Sequence, residues 1–309
     1  MRLTVLLIAT SLLAFTACAE TAPDEGSDVG SALAVDTTAG AWCGDPVRVA
    51  DLDRPLVEAS GLAVSRRQPG VIWIHNDSDS PPRLFAHSTD GTRIGVVNVP
   101  GLRSQRQWED IASGPCPAGD CLYIGDIGDN LATRPYPAIL RVREPASDAT
   151  EGAVPERFRF NYPDGPVDAE AIFVLPDTTV YVITKGRHGP ITLYRIPHLE
   201  LPGPVILERI QDLSDGLVQL PHMVTGASAS PDGSLIAVRT YSFLQLYRMI
   251  DGRLAPLLAG DGYDLGPLGE PQGEAVAVLD DGTVFLASEE GPFNRQPFLS
   301  RLRCRVPPQ

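Results

Sequence analysis

Glu109, Glu170 and Glu274 stand in segments of one build, small and polar at the start and apolar at the end. These are Trp108-Glu109-Asp110-Ile111-Ala112, Asp168-Ala169-Glu170-Ala171-Ile172 and Gly273-Glu274-Ala275-Val276-Ala277. Two further segments, Glu58-Ala59-Ser60-Gly61-Leu62-Ala63 and Thr225-Gly226-Ala227-Ser228-Ala229, put Ser60 and Gly226 at the aligned position. Carboxylates brought together repel unless a cation or protons neutralise them. A hard cation such as Ca²⁺ takes carboxylate oxygens with flexible geometry, so Glu109, Glu170 and Glu274 are expected metal ligands. Alternatively, each Glu hydrogen-bonds the backbone of a neighbouring repeat. Gly125-Asp126-Ile127-Gly128-Asp129-Asn130 adds Asp126 and Asp129 to the candidate calcium ligands. It lacks the full EF-hand spacing and reads equally as an Asx-rich turn.

A second row lies four residues beyond Trp73, Tyr123, Tyr181 and Phe285. It holds Asp77, Ile127, Lys185 and Glu289, with Arg239 as the counterpart in the remaining repeat. Asp77, Glu289 and the nearby His75 are candidate catalytic groups for proton transfer. Lys185, Arg239 and Asn76 are candidate substrate-binding groups. Structural ion pairs, Asp77–Arg239 or Lys185–Glu289, would employ the same residues differently. The chain has no Gly-x-Ser-x-Gly elbow, no His-Glu-x-x-His and no phosphate-binding Walker loop.

The elements that must position these rows are strands. Short apolar runs such as Val71-Ile72-Trp73-Ile74 and Thr179-Val180-Tyr181-Val182-Ile183 alternate with Asp-Gly pairs at Asp90, Asp232, Asp251 and Asp281. Asp-Gly between apolar runs signals a hairpin. The repeats recur at roughly 50–60 residues, the period of propeller blades. The expected fold is all-β, a single propeller with five blades, six being the alternative. The last blade lacks a fourth strand, and Asp45-Pro46-Val47-Arg48-Val49 can supply it and close the ring.

The expected domains are a signal peptide over 1–17, a lipid-anchored disordered tether over 18–40 and the propeller over 41–309. Arg2, the apolar run Leu3–Phe15 and Thr16-Ala17-Cys18 form a secretory signal whose end resembles a lipobox. Lipidated Cys18 would attach the chain to the cell membrane or outer membrane, an extracytoplasmic location. Four cysteines remain of five. Outside the cytoplasm they are expected to pair as Cys43–Cys304, stapling the closure, and Cys116–Cys121. A formal net charge of −14 argues against nucleic acid, whose phosphates need basic patches. A monomer is expected.

The first and last repeats, the latter continuing as Asp281-Gly282-Thr283-Val284-Phe285-Leu286-Ala287-Ser288-Glu289-Glu290, resemble bacterial propellers of the phytase-like ("esterase-like activity of phytase") and SdiA-regulated kinds. Trp108-Glu109-Asp110 with Gly125–Asn130 resembles a signature of bacterial propeller proteins. The resemblance implies a propeller and calcium-assisted phosphoester hydrolysis, although the basic cluster of a phytase is thin here. Two functions are carried forward. One is a metal-assisted hydrolase of a phosphoester or glycosidic substrate, with a small-molecule or saccharide ligand in an axial pocket. The other is a non-catalytic propeller binding a carbohydrate, peptide or partner protein. A metal with an open coordination position favours the first, and exposed apolar residues over the charged face favour the second.

Overall fold

The structure is a computed structural model that describes residues 43–77, 80–102, 107–199 and 203–305. The expected signal and tether, with Cys18, lie outside the described residues. The described strands group into five sheets of four or five strands, arranged as a five-bladed β-propeller. Among the described residues, helix is confined to one turn, Gly266–Leu268.

Blade 1 pairs its strands in chain order: Ala59–Val64, Val71–Asn76, Arg83–Ser88 and Arg93–Asn98. Blades 2, 3 and 4 start in the same way from inner strands Trp108–Cys116, Ala169–Val174 and Val224–Ala229. Blade 5 is built from Gln272–Val278, Thr283–Glu289 and Phe298–Arg303, and its fourth strand is Val47–Asp51 from the other end of the domain. The Cys43–Cys304 disulfide lies beside this seam and closes a loop with a sequence separation of 261. Cys116–Cys121 spans the hairpin between the first two strands of blade 2. Both expected pairings are therefore present, and five blades replace the six-blade alternative.

The core is five apolar wedges, one between each pair of neighbouring blades. Trp73 of blade 1 packs with Ile111 and Leu122 of blade 2, while Ile72 and Ile74 turn the other way, toward Ala275 and Phe285 of blade 5. Second strands are covered on both faces, so their sequences run continuously apolar instead of alternating. Inner strands carry small residues where they crowd the axis. Gly61 is one such place: a Cβ there would lie 2.4 Å from His75 Nε2 and 2.8 Å from the Ile111 amide nitrogen.

Candidate functional site

Every inner strand breaks register at the same place. The ladder skips one residue between Ala59 and Gly61, Trp108 and Asp110, Ala169 and Ala171, Val224 and Gly226, and Gly273 and Ala275. Each skip is a β-bulge, which leaves the extra residue unpaired and re-aims its side chain. The five extra residues are Ser60, Glu109, Glu170, Thr225 and Glu274. The bulges thus bring the three expected glutamates to one level around the axis, at the end where the inner strands begin. Blade 4 corrects the alignment: Thr225, not Gly226, holds the equivalent position.

The two hydroxyls make the contact that was the alternative reading for the glutamates. Ser60 Oγ donates to the Glu109 carbonyl at 2.6 Å, and Thr225 Oγ1 donates to the Glu274 carbonyl at 3.0 Å. Each stitches its blade to the next. The glutamate side chains instead face charge. Lys185 Nζ donates to Glu170 Oε1 at 2.7 Å and lies 5.7 Å from the centre of the Tyr241 ring. Gln272 Nε2 bridges Glu274 Oε1 and Glu289 Oε2, each at 2.7 Å. Glu109 lies against the next loop: a Cβ on Gly128 would fall 1.7 Å from its Oε1, so any larger residue there would displace the carboxyl.

The second row follows from the same register. The residue after each second-strand partner is Asp77, Ile127, Lys185, Tyr241 and Glu289. Tyr241 therefore replaces Arg239 in this row. Arg239 sits two residues deeper, opposite Gly226, with no exposed surface. It pairs with Glu270 and donates to the carbonyls of Ala275 and Ala287 at 3.0 and 3.4 Å. That is a strut between blades 4 and 5, and it corrects the expectation of a substrate-binding Arg239.

Four other expected residues are also used structurally. His75 is fully buried edge-on to Trp108, and burial lowers its pKa, so it is a neutral packing residue out of reach of a ligand. Asn76 ties down the preceding loop through Pro55 O at 2.8 Å and Glu58 N at 3.3 Å. Asp126 is clamped by Arg134 and Arg157, and Asp129 accepts the Arg134 amide at 2.6 Å while its own amide reaches Asp168 Oδ1 at 2.9 Å. The Gly125–Asn130 segment is thus an arginine-braced turn, and Asp126 and Asp129 are withdrawn as metal ligands.

Asp110 is a polar axial residue that the pattern did not single out. Its carboxylate, fully buried, accepts the amides of Ile111, Ile172 and Ala227 at 2.8, 2.9 and 3.0 Å, joining blades 2, 3 and 4. Only its place in the quoted Trp108-Glu109-Asp110 motif hinted at it.

The electrostatics of the cup are one-sided. Glu58, Asp77, Asp168 and Glu289 surround the three axial glutamates, with Lys185 in their midst. Burial pushes Glu170 up to about 7 against the pull of Lys185, and Glu274 up to about 8. Burial also raises Glu109, helped by Glu170, and raises Glu289, helped by Glu274. Lys185 loses hydration by burial, yet Glu170, Tyr241 and Glu274 outweigh that and hold its pKa above the usual value. Burial thus favours the protonated form of these carboxyls, and the cup gains negative charge as they ionise.

The calcium expectation meets this geometry. An all-oxygen set of three glutamates suits Ca²⁺. However, the Lys185 ammonium already sits on Glu170, and among the described residues no group of three or more His, Cys, Asp or Glu is close enough together to hold a metal ion. The residues in this arrangement do not fit a calcium site.

No family model matches the chain, and no curated protein matches it. Among solved structures it is similar to a glucose dehydrogenase (14% identity, 84% of this chain and 99% of that chain, TM-score 0.49). It is also similar to the PQQ-bound aldose sugar dehydrogenase of Streptomyces coelicolor (12%, 84% and 98%, 0.48) and to a gluconolactonase of Xanthomonas campestris (14%, 80% and 72%, 0.43). At this distance no residue or activity carries over from them.

Proposed function

We propose that the chain is an extracytoplasmic, membrane-tethered binding propeller whose acidic axial cup receives the ammonium or guanidinium group of an organic ligand. The observation that carries this reading is Lys185. Its ammonium rests on Glu170 at 2.7 Å and faces Tyr241, so the cup already accommodates one such cation while Glu109, Glu274 and Glu289 keep raised pKa values beside it. Carboxylates are costly to bury unpaired, and a second organic cation would relieve that cost. A phosphate would be repelled. The upper face supports a binding role, because Leu131, Tyr136, Leu217, Leu220 and Phe293 stand exposed at the strand ends and loops of that face. The signal-like N-terminus and the two disulfides support the location.

A second reading rests on the raised carboxyls themselves. Groups that titrate near 7 and 8 can exchange protons at neutral pH, as hydrolysis of an uncharged glycosidic substrate requires. Isothermal titration at pH 8 with methylammonium, guanidinium and Ca²⁺ tests the first reading. Methylammonium and guanidinium should bind the wild type and lose at least tenfold in affinity in Glu274→Gln. No binding of either cation overturns it, and tight stoichiometric Ca²⁺ would assign the cup to a metal. Turnover of nitrophenyl glycosides that vanishes in Glu274→Gln would favour the hydrolytic reading.

A further inference from the structure

A groove of about 400 Å³ runs between blades 3 and 4, and its walls are apolar and polar in about equal part. Ile191, Val218, Val238 and Tyr247 supply the apolar part, and Gln245 and Asp261 the polar part. At one side the rings of His222 and Phe243 stack on each other, with ring centres 4.8 Å apart and planes 9° apart. Both rings are half-buried, so the pair is reachable.

The groove adjoins the cup along the chain. Val224 directly precedes Thr225 of the bulge ring, and Thr240, another lining residue, directly precedes Tyr241. On the blade 3 side, the Val218 amide donates to the carbonyl of Gly186, the residue after Lys185, at 2.9 Å. A ligand with its cation among the glutamates would therefore have the groove within one residue of the cup on two chain segments and one hydrogen bond away on a third. The volume lies in the range of small-molecule sites, about 300–1,000 Å³. An apolar cavity of about 150 Å³ is already enough for a benzene ring.

We propose that this groove is an aryl subsite, so that the ligand is a small arylalkylammonium whose ring lies against Phe243 while its ammonium enters the cup. This rests on the cup reading for its charged half and on the groove alone for its aromatic half. A stacked aromatic pair in the lining favours a ring over a branched aliphatic group, because offset or edge-on ring pairs gain beyond simple burial. A bare metal ion or a linear polyamine would leave the groove unused.

Ligand-observed NMR on the full chain at pH 8 separates the two halves with three probes: phenethylammonium, methylammonium and uncharged 2-phenylethanol. Phenethylammonium should bind at least tenfold more tightly than methylammonium. Phe243→Ala should reduce that advantage below threefold and leave methylammonium unchanged. His222→Ala should move it the same way by less. Equal affinity of the two amines, or an aryl advantage that survives both substitutions, overturns the subsite. Binding of 2-phenylethanol that depends on Phe243, with no methylammonium binding, would keep the aryl subsite and overturn the cup.

Discussion

Two buried pairs of similar composition sit on neighbouring blades with different outcomes. Arg239 pairs with Glu270, and Lys185 pairs with Glu170. Around Arg239 every neighbour is an acceptor fixed by the fold. The carbonyls of Ala275 and Ala287 take its protons, and Gly273 makes room, since a Cβ there would fall 1.9 Å from Arg239 Nη2. Lys185 has one carboxylate partner at hydrogen-bond distance and several more carboxylates within electrostatic reach. The first pair is closed, with charge and hydrogen bonds matched. The second sits among more carboxyl groups than its one ammonium can pair. Burial alone therefore does not separate a strut from a site, whereas the local balance of charge does.

The sharpest way to break this comparison is to remove the cations one at a time. Arg239→Ala should cost about 3–5 kcal/mol of unfolding free energy, because Glu270 is left buried and unpaired. The double substitution Arg239→Leu/Glu270→Leu should recover much of that in chemical denaturation. A loss under about 1 kcal/mol would deny the strut.

Lys185→Ala should cost less, about 1–2 kcal/mol, because Glu170 can take up a proton and join the other protonated carboxyls. Added methylammonium should restore stability in this variant by occupying the vacated place, and it should do nothing for Arg239→Ala. If Lys185→Ala is as damaging as Arg239→Ala and no amine rescues it, Lys185 is a strut as well.

The smallest effect is a pH dependence. Glu170 and Glu274 have folded pKa values of about 7 and 8, above the unfolded carboxylate range. The folded state therefore binds more protons than the unfolded state between about pH 4.5 and pH 8, and stability falls as pH rises through that window. Melting temperatures of Glu274→Gln should fall less steeply than those of wild type over the same range. Parallel curves would place the titration elsewhere.

The ring was legible because its repeat is local. Asp-Gly hairpins, apolar second strands and the missing fourth strand of the last blade each follow from neighbouring residues. Glu109, Glu170 and Glu274 aligned because a bulge recurs at each, and the same bulge explains why they face the axis. Thr225 was missed for Gly226 because blade 4 has no glutamate to fix the register. Tyr241 was missed for Arg239 because the strand Ile236–Thr240 has no aromatic to align with Trp73, Tyr123, Tyr181 and Phe285. The jobs of Asp110, Asn76 and Asp126 depend on amides, carbonyls and arginines from distant segments, which no local pattern encodes.

Site-resolved titration of the glutamate side-chain carboxyls by ¹³C NMR, with and without methylammonium, tests the central claim most directly. At least two glutamates should titrate above about pH 6.5, consistent with Glu170 and Glu274, and both should shift downward when methylammonium is added. Glutamates that all titrate below about pH 5.5 and ignore methylammonium would contradict an acidic cup built to receive a cation.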